Sequence, residues 1–107
     1  MKEMVETDAR EVKRWLENGE AVLIDVREAD ELRMARVPGA VHIPMSAFNP
    51  GNLPDLTGKK PVFMCAMGMR SFQVGSYLLM HDLVDEAYNL SGGIQGWMMA
   101  GYPVEQG

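Results

Sequence analysis

Short, almost uninterrupted apolar runs limit the fold of this chain more than any other feature of its sequence. The clearest is residues 21–26, Ala-Val-Leu-Ile-Asp-Val, which is rich in β-branched side chains and carries a single charge. Such a run is typical of a strand that is buried on both faces of a parallel sheet. Residues 61–65 are a second candidate of this kind, and residues 87–90 are a further strand candidate.

Segments with helical spacing lie between these runs. Asp8 and Glu11 form a capping-box pattern ahead of apolar residues that recur at helical spacing up to Asn18-Gly19, which predicts a helix of about 8 to 10 residues. Further helices are predicted at 29–35, 72–79 and 94–100, a short strand at 40–43, and a surface connection with at most one helical turn at 46–58. Alternating strands and helices indicate an α/β fold, a small and mainly parallel β-sheet flanked by helices. Ligands of such sheets gather at the carboxyl ends of the strands.

Length and charge narrow the classes of partner. The 107 residues suffice for one compact domain, 1–107, and are too few for two of ordinary size. The formal net charge of −5 provides no basic surface for nucleic acid or for an anionic membrane. The beginning of the chain lacks the apolar run of a secretory signal, and the uncharged stretches 37–54 and 87–104 are interrupted by proline and glycine. These features predict a cytoplasmic protein that binds neither nucleic acid nor membrane.

Cys65 is the only cysteine, which excludes an intramolecular disulfide and a multi-cysteine zinc site. It follows a predicted strand and precedes a predicted helix, where several backbone N–H groups have no intrahelical partner. A curled loop from Ala66 to Arg70, with conformational freedom at Gly68, would aim these groups at the sulfur. Arg70 is the only Lys or Arg among the last 47 residues. This setting lowers the pKa of a cysteine and favours the nucleophilic thiolate over the alternative, an inert buried thiol.

Five separated blocks of sequence form an ordered pattern across the chain. They are Leu23-Ile24-Asp25-Val26-Arg27-Glu28, Val37-Pro38-Gly39-Ala40 with Ile43-Pro44, Cys65-x4-Arg70-Ser71, Tyr88-Asn89-Leu90-Ser91-Gly92-Gly93-Ile94 with Trp97, and Gly101-Tyr102-Pro103-Val104. Together they closely resemble a single-domain rhodanese, a sulfurtransferase. The resemblance implies a catalytic Cys65 that takes a sulfane sulfur from thiosulfate or a persulfide donor and hands it, as a persulfide, to cyanide, a thiol or an acceptor protein. It also implies that no cofactor is needed and that the active-site loop consists of Ala66, Met67, Gly68, Met69, Arg70 and Ser71.

The spacing of Cys65 and Arg70 separates two chemistries within this resemblance. Rhodaneses carry four residues between the cysteine and the arginine, whereas related cysteine phosphatases carry five, which surround a phosphate. This chain has four. Sulfur transfer is therefore favoured over a cysteine phosphatase or an arsenate reductase. The alternative from another class is a non-catalytic rhodanese-like binding or regulatory module, and the intact Cys65 and Arg70-Ser71 favour the enzyme.

The chain departs from the family pattern in two places. Ala66, Met67 and Met69 stand in the loop where many members carry polar or basic residues. This apolar loop favours a bulkier persulfide donor or a hydrophobic protein surface over thiosulfate. Arg36 stands where members often have the histidine of a Gly-His pair. It is predicted either to add positive potential near the site or to be a solvated surface residue.

Several other residues are expected to have ordinary structural roles. Asp25 and Arg27 end the first buried strand, and a strand-end ion pair is favoured over a role in orienting the loop or attracting an anionic donor. The histidines lack ligand-spaced partners, so no metal site is predicted. Most of the ten methionines, Met64 in particular, are predicted to fill the core. Trp15 and Trp97 are predicted to be packing anchors.

Overall fold

The computed structural model describes residues 2–106, and its strands form one sheet. The strands are β1 (Val5–Thr7), β2 (Ala21–Asp25), β3 (Val41–His42), β4 (Lys60–Met64) and β5 (Tyr88–Leu90). The helices are α1 (Ala9–Glu17), α2 (Ala29–Met34), α3 (Met69–Met80) and α4 (Gly93–Met99). The strand order is β1-β5-β4-β2-β3, and every neighbouring pair is parallel. The prediction of a small, mainly parallel sheet flanked by helices is confirmed.

The capping pattern and the first tryptophan account for the position of α1. The Asp8 carboxylate accepts a hydrogen bond from the Glu11 N–H at 2.9 Å, as the sequence predicts. Trp15 is buried, and its ring meets that of Tyr88 in β5 edge-on with the centroids 5.1 Å apart. The helix ends ahead of Gly19, whose φ of 70° favours glycine. Helix α1 is thus joined to the sheet by an aromatic contact.

The core has one layer on each face of the sheet, and successive residues around β4 reach into different layers. Val62 and Met64 pack in the layer that includes residues of α1 and α4. Phe63 and Cys65 pack in the layer that includes residues of α3. All four are buried. Burial on both faces explains why the run is continuously apolar, and the alternation turns Cys65 toward α3.

The start of α3 differs from its prediction. The helix begins at Met69 and not at residue 72, so Met69, Arg70 and Ser71 belong to its first turn and only residues 66–68 form the loop. The cause is Gly68, which takes a left-handed conformation with φ of 111° and lets the chain curl and enter the helix at once. The predicted tight turn from Ala66 to Arg70 is corrected accordingly.

The connection at 46–58 also differs from its prediction. One 3₁₀ turn, Met45–Ala47, overlaps its start and a second, Pro50–Asn52, lies within it, where the sequence predicts at most one turn. The second turn has a local cause, because the Asn49 side chain accepts a hydrogen bond from the Gly51 N–H at 2.9 Å. A short polar side chain and a proline are enough to form such a turn.

The strand β1 has no counterpart in the sequence prediction. Its three residues contain a single aliphatic side chain, too little for a periodic signal. Its backbone is fixed by β5 and the residues that flank it: the Val5 N–H donates to the Ala87 carbonyl at 3.0 Å, and the Ser91 N–H donates to the Thr7 carbonyl at 2.8 Å. This edge strand places Glu6 beside Asn89 of β5.

Methionine placement contradicts the prediction that most methionines fill the core. Met64 is fully buried, as predicted. The exposed ones are Met34, Met67, Met69, Met80, Met98 and Met99. Composition indicates only that thioethers suit irregular gaps, whereas position on the outer side of a helix or loop decides exposure.

The helices are short, and their buried faces are narrow. The longest, α3, spans 12 residues and buries Val74, Leu78 and Leu79. Trp97, on α4, exposes only 1% of its surface and donates from Nε1 to the Pro103 carbonyl at 2.9 Å, in agreement with its prediction as an anchor. Within residues 2–106, no helix is both long and apolar enough to cross a membrane.

Candidate active site

Cys65 lies at the carboxyl end of β4, immediately before the curled loop 66–68. The curl brings the Gly68 N–H to 3.1 Å from the Cys65 Sγ, and the N–H donates to the sulfur. Cys65 exposes 1% of its surface. The sulfur is therefore surrounded by protein groups, and a backbone donor meets it directly.

The start of α4 fixes this loop from outside. The Ile94 N–H donates to the Cys65 carbonyl at 2.9 Å, and the Gln95 N–H donates to the Ala66 carbonyl at 3.2 Å. Because these two carbonyl oxygens accept hydrogen bonds from α4, the loop can turn its own N–H groups toward the sulfur. Gly93 permits this close approach, since a Cβ there would collide with the backbone of Cys65 and Ala66.

Ser71 supplies the second polar group at the sulfur. It is fully buried in the first turn of α3, with its Oγ 3.3 Å from the Cys65 Sγ. Burial raises the pKa of Cys65, because a low-dielectric environment disfavours the thiolate. The Ser71 hydroxyl and the N–H groups of residues 71, 68 and 67 outweigh burial, so the pKa of Cys65 lies below its ordinary value. Hydrogen-bond donors, and not a neighbouring base, stabilise the thiolate.

Arg70 is held in an ion pair with Glu31 of α2. Its guanidinium binds both carboxylate oxygens, at 2.7 and 2.9 Å. The hydrogen bonds of this pair hold the pKa of Glu31 at about 2 and raise the pKa of Arg70 above its ordinary value. Negative charge on Cys65 also favours the charged guanidinium, to a smaller extent than Glu31 does. Glu31 therefore offsets much of the positive charge that the sequence places near Cys65.

Asp25 and Arg27 form a buried ion pair at the end of β2. The Arg27 Nη2 lies 2.8 Å from one Asp25 oxygen, and Nε lies 3.1 Å from the other. The two residues expose 1% and 4% of their surfaces. The guanidinium also donates to the carbonyls of Glu31 at 3.4 Å and Ala35 at 2.8 Å. These contacts attach both ends of α2 to the end of β2.

Arg36 contacts the later part of the chain. Its backbone forms two hydrogen bonds of 2.8 Å with Glu105, and its Nε lies 3.2 Å from a carboxylate oxygen of the same residue. About half of each side chain is exposed. The structure thus pairs Arg36 with Glu105 and assigns it no contact with the loop.

The two histidines make local contacts. The Nε2 of His42 lies 2.7 Å from the Arg27 carbonyl oxygen, and the ring of His81 packs on that of Tyr77 with the centroids 4.3 Å apart. Among residues 2–106, no three His, Cys, Asp or Glu side chains converge as a metal site requires.

Exposed apolar side chains line part of a groove beside the loop 66–68, together with polar residues that include Glu6. Met67 and Met69 expose 74% and 77% of their surfaces, and Phe72 exposes 44%. All three line this groove of about 400 Å³, which also reaches Asn89. The apolar loop residues seen in the sequence are thus available to a molecule that approaches the site.

Sequence reasoning assigned no role to Glu31, Asn89 or Gly93. Asn89 carried a usable signal, since a polar side chain within a buried strand needs hydrogen-bond partners. Gly93 carried a weaker one, as the second glycine of a pair ahead of a helix. Glu31 carried none, because its contact with Arg70 spans 39 positions.

The sequence also matches a known family, which defines the class of protein that this fold and site represent. The match is to the rhodanese-like domain and covers residues 8–100. The chain belongs to the rhodanese-like domain family, which confirms the resemblance. Two longer curated relatives are matched over only 28% and 43% of their own length, so this domain also forms part of larger proteins.

Relatives of similar length have sulfurtransferase names. The thiosulfate sulfurtransferase GlpE of Actinobacillus succinogenes is 30% identical over 106 residues, which covers 95% of this chain and 93% of that protein. The putative sulfurtransferase YtwF of Bacillus subtilis is 35% identical over 101 residues, which covers 89% and 91% of the two chains. The crystal structure of a rhodanese-related protein from Thermoplasma volcanium superposes with a TM-score of 0.79 at 26% identity and covers 96% of this chain and 99% of that one.

Proposed function

We propose that this protein is a sulfurtransferase that carries a sulfane sulfur on Cys65 as a persulfide. The observation that carries the proposal is the set of donors at the sulfur, the Gly68 N–H at 3.1 Å and the Ser71 hydroxyl at 3.3 Å, around a residue that is 1% exposed. Such donors stabilise negative charge on sulfur without a general base. The names of the similar bacterial proteins support the same activity.

The proposed reaction has two displacement steps. In the first, the Cys65 thiolate attacks the outer sulfur of the donor, the donor S–S bond breaks, and its electron pair leaves with sulfite or with a thiolate. Cys65 then carries an S–S⁻ group. In the second, cyanide, a thiol or an acceptor protein attacks the outer sulfur, and the electron pair of the breaking bond returns to Cys65. The two steps balance without an external oxidant or reductant, because the sulfane sulfur is only transferred.

The surroundings of the site favour a persulfide donor with an apolar body over thiosulfate. Thiosulfate carries two negative charges, and Arg70, whose charge interacts with Cys65, is already paired with the Glu31 carboxylate. The exposed side chains of Met67 and Met69 provide apolar contact area in the groove beside the loop 66–68. A small organic persulfide, or a persulfide on a hydrophobic protein surface, gains from this area and needs less positive charge.

Intact-mass measurement tests the proposed function. The protein is incubated with thiosulfate or with cysteine persulfide at equal concentration, and we expect a gain of one sulfur, about 32 Da, with the persulfide reacting faster. Cyanide is expected to restore the original mass, which separates a persulfide from an irreversible sulfinic acid of similar mass.

Cys65→Ser is the matched control, because it keeps a small polar side chain and removes the nucleophile. It is expected to gain no sulfur from either donor. If the unaltered protein also gains none, the sulfurtransferase proposal is wrong and the non-catalytic binding or regulatory module replaces it. Faster reaction with thiosulfate would contradict the donor preference alone.

A further inference from the structure

Ser71 contacts two groups that compete for its single hydroxyl proton. Its Oγ lies 2.6 Å from the Asn89 Oδ1 and 3.3 Å from the Cys65 Sγ. A serine hydroxyl donates one hydrogen bond at a time and accepts through its lone pairs. The shorter contact favours Asn89 as the acceptor while Cys65 is a protonated thiol. In the thiol state Ser71 therefore donates to Asn89, which leaves an Oγ lone pair facing the cysteine, and the same hydroxyl is the donor available to a thiolate.

The orientation of the Asn89 amide follows from its other contacts. Its Nδ2 donates to the Glu6 carboxylate at 3.0 and 3.2 Å and to the Gly68 carbonyl at 3.0 Å. Both partners are acceptors, so the NH₂ group must face them. The Oδ1 is then left as an acceptor for Ser71. Since Asn89 exposes 3% of its surface and Ser71 none, water offers neither group a ready replacement.

We propose that Asn89 is a positioning residue that holds the Ser71 proton while Cys65 is a thiol and releases it when the sulfur becomes an anion. In the thiol state, the Cys65 S–H donates to the Ser71 Oγ and Ser71 donates to Asn89. In the anionic state, the Ser71 hydroxyl turns to the sulfur and the Asn89 Oδ1 loses its donor. The S–H bond of Cys65 breaks, its electron pair stays on the sulfur and the proton leaves to solvent, while no bond between heavy atoms changes. The inference deepens the proposed function, on which its meaning for sulfur transfer rests.

The consequence is that Asn89 opposes ionisation of Cys65, although it never touches the sulfur. Forming the thiolate gives up the hydrogen bond between Ser71 and Asn89, so removing the acceptor makes the thiolate easier to form. Asn89 also orients the Gly68 carbonyl, and loss of that contact would act on the loop by a separate route. The charged groups of the neighbouring elements stay constant in all variants: Glu6 on β1, Asp25 and Arg27 at β2, Glu31 on α2 and Arg70 on α3.

Thiolate titrations of four proteins test the inference. The fraction of Cys65 thiolate is measured by ultraviolet absorbance against pH in the unaltered protein, Asn89→Ala, Ser71→Ala and the double variant. At a fixed pH below the Cys65 pKa, we expect about three- to ten-fold more thiolate in Asn89→Ala and about three- to ten-fold less in Ser71→Ala. In the Ser71→Ala background, Asn89→Ala is expected to leave the thiolate fraction unchanged, because the hydroxyl for which Asn89 and Cys65 compete is absent.

Ser91→Ala is the matched control, since the Ser91 hydroxyl donates to the same Glu6 carboxylate at 2.6 Å without being bonded to Ser71 or Cys65. Its thiolate titration should match that of the unaltered protein. An equal or smaller thiolate fraction in Asn89→Ala would overturn the inference. So would an increase that persists in the Ser71→Ala background, which would assign the effect to the loop.

Carbon NMR of the unaltered protein gives a second test that needs no folded Asn89 variant. The side-chain carbonyl resonance of Asn89 is expected to shift with the same midpoint as Cys65 ionisation and to stay constant in Cys65→Ala. An Asn89 carbonyl resonance that does not shift as Cys65 ionises would also overturn the inference. Because neither readout requires a sulfur donor, a failure here is distinct from a failure of the persulfide test.

Discussion

Arg27 and Arg70 both hold α2 at the carboxyl edge of the sheet, and they do so in different surroundings. Arg27 is buried and binds the Asp25 carboxylate together with two carbonyls, those of Glu31 and Ala35. Arg70 keeps about a third of its side chain in solvent and binds the Glu31 carboxylate. Helix α2 has no fully buried residue of its own, so the two arginines largely determine its place.

Burial decides what each pair contributes. Removing one member of a buried pair leaves a charge without compensation, whereas an exposed pair contributes at most about 1 kcal/mol. We therefore expect Arg27 to govern the stability of this edge. Arg70 contributes less to stability, and its pair with Glu31 offsets its positive charge.

Arg27→Met is expected to have the largest effect, a loss of about 3 to 5 kcal/mol in the free energy of unfolding, because the Asp25 charge stays buried. The matched variant Arg36→Met removes the exposed pair with Glu105 and is expected to lose at most about 1 kcal/mol. Urea unfolding followed by circular dichroism gives both values. Equal losses of unfolding free energy in the two variants would show that burial does not determine how much each pair contributes.

Gly93→Ala tests whether the close contact of α4 with the loop 66–68 contributes as much to stability as the buried pair of Asp25 and Arg27. We expect a loss of about 2 to 4 kcal/mol, because the new Cβ meets backbone atoms and the φ of 56° strains an alanine. Gly58→Ala has a similar φ of 71° with open space around it, and is expected to lose about 1 kcal/mol from strain alone. Thermal unfolding of both variants is the measurement. Similar losses would exclude a close-contact role for Gly93.

Glu31→Gln separates the exposed pair from the buried one by its pH dependence. At neutral pH we expect a loss of about 1 kcal/mol, because solvent screens the pair with Arg70. The folded pKa of Glu31, about 2, lies below the ordinary 4.5. The contribution of the pair is therefore fully present above pH 4.5 and disappears as the pH falls toward 2.

The difference in unfolding free energy between the native protein and Glu31→Gln should shrink across that window, as measured by urea unfolding at a series of pH values. A difference that stays constant from neutral pH to pH 2 would contradict the assigned pair. The variant also frees the Arg70 charge. Its reaction with thiosulfate is therefore expected to gain relative to its reaction with cysteine persulfide.

Met67→Ala with Met69→Ala is expected to have the smallest effect on stability, within about 0.5 kcal/mol, because both side chains are exposed. The rate of sulfur uptake from a hydrophobic persulfide is expected to fall about three-fold, with the thiosulfate rate unchanged. Met80→Ala is the matched control, since Met80 is as exposed as Met69 on the same helix. High thiosulfate activity together with unaffected persulfide uptake would remove these methionines from donor selection.

The central strands were predictable because burial on two faces leaves a strong local pattern. Strand β2 ends one residue before its predicted end, and β4 is displaced by one residue from its prediction. Strand β1 was not predictable, since it is fixed by pairing with β5 and not by its own three residues. The early start of α3 escaped prediction because Gly68 acts through a left-handed backbone and lacks the side-chain cap that usually marks a helix start.

The residues of the candidate site also differ in how far the local sequence predicts them. Cys65, Arg70 and Ser71 lie within seven consecutive positions at a strand-to-helix junction, so their proximity is readable from the sequence. Their partners arrive from elsewhere in the fold. Glu31 lies 39 positions from Arg70, and Asn89 lies 18 positions from Ser71. Tertiary packing alone determines such contacts, and no periodic pattern in the sequence indicates them.

The position of β5 between β1 and β4 makes the surroundings of the thiol depend on the whole sheet. Asn89 in β5 joins Ser71 on one side and Glu6, 83 positions away, on the other. Closing loops of such length is costly in entropy, so these contacts depend on the paired sheet and not on local sequence. The surroundings of Cys65 therefore combine its own loop with residues of the first and the last strand of the chain.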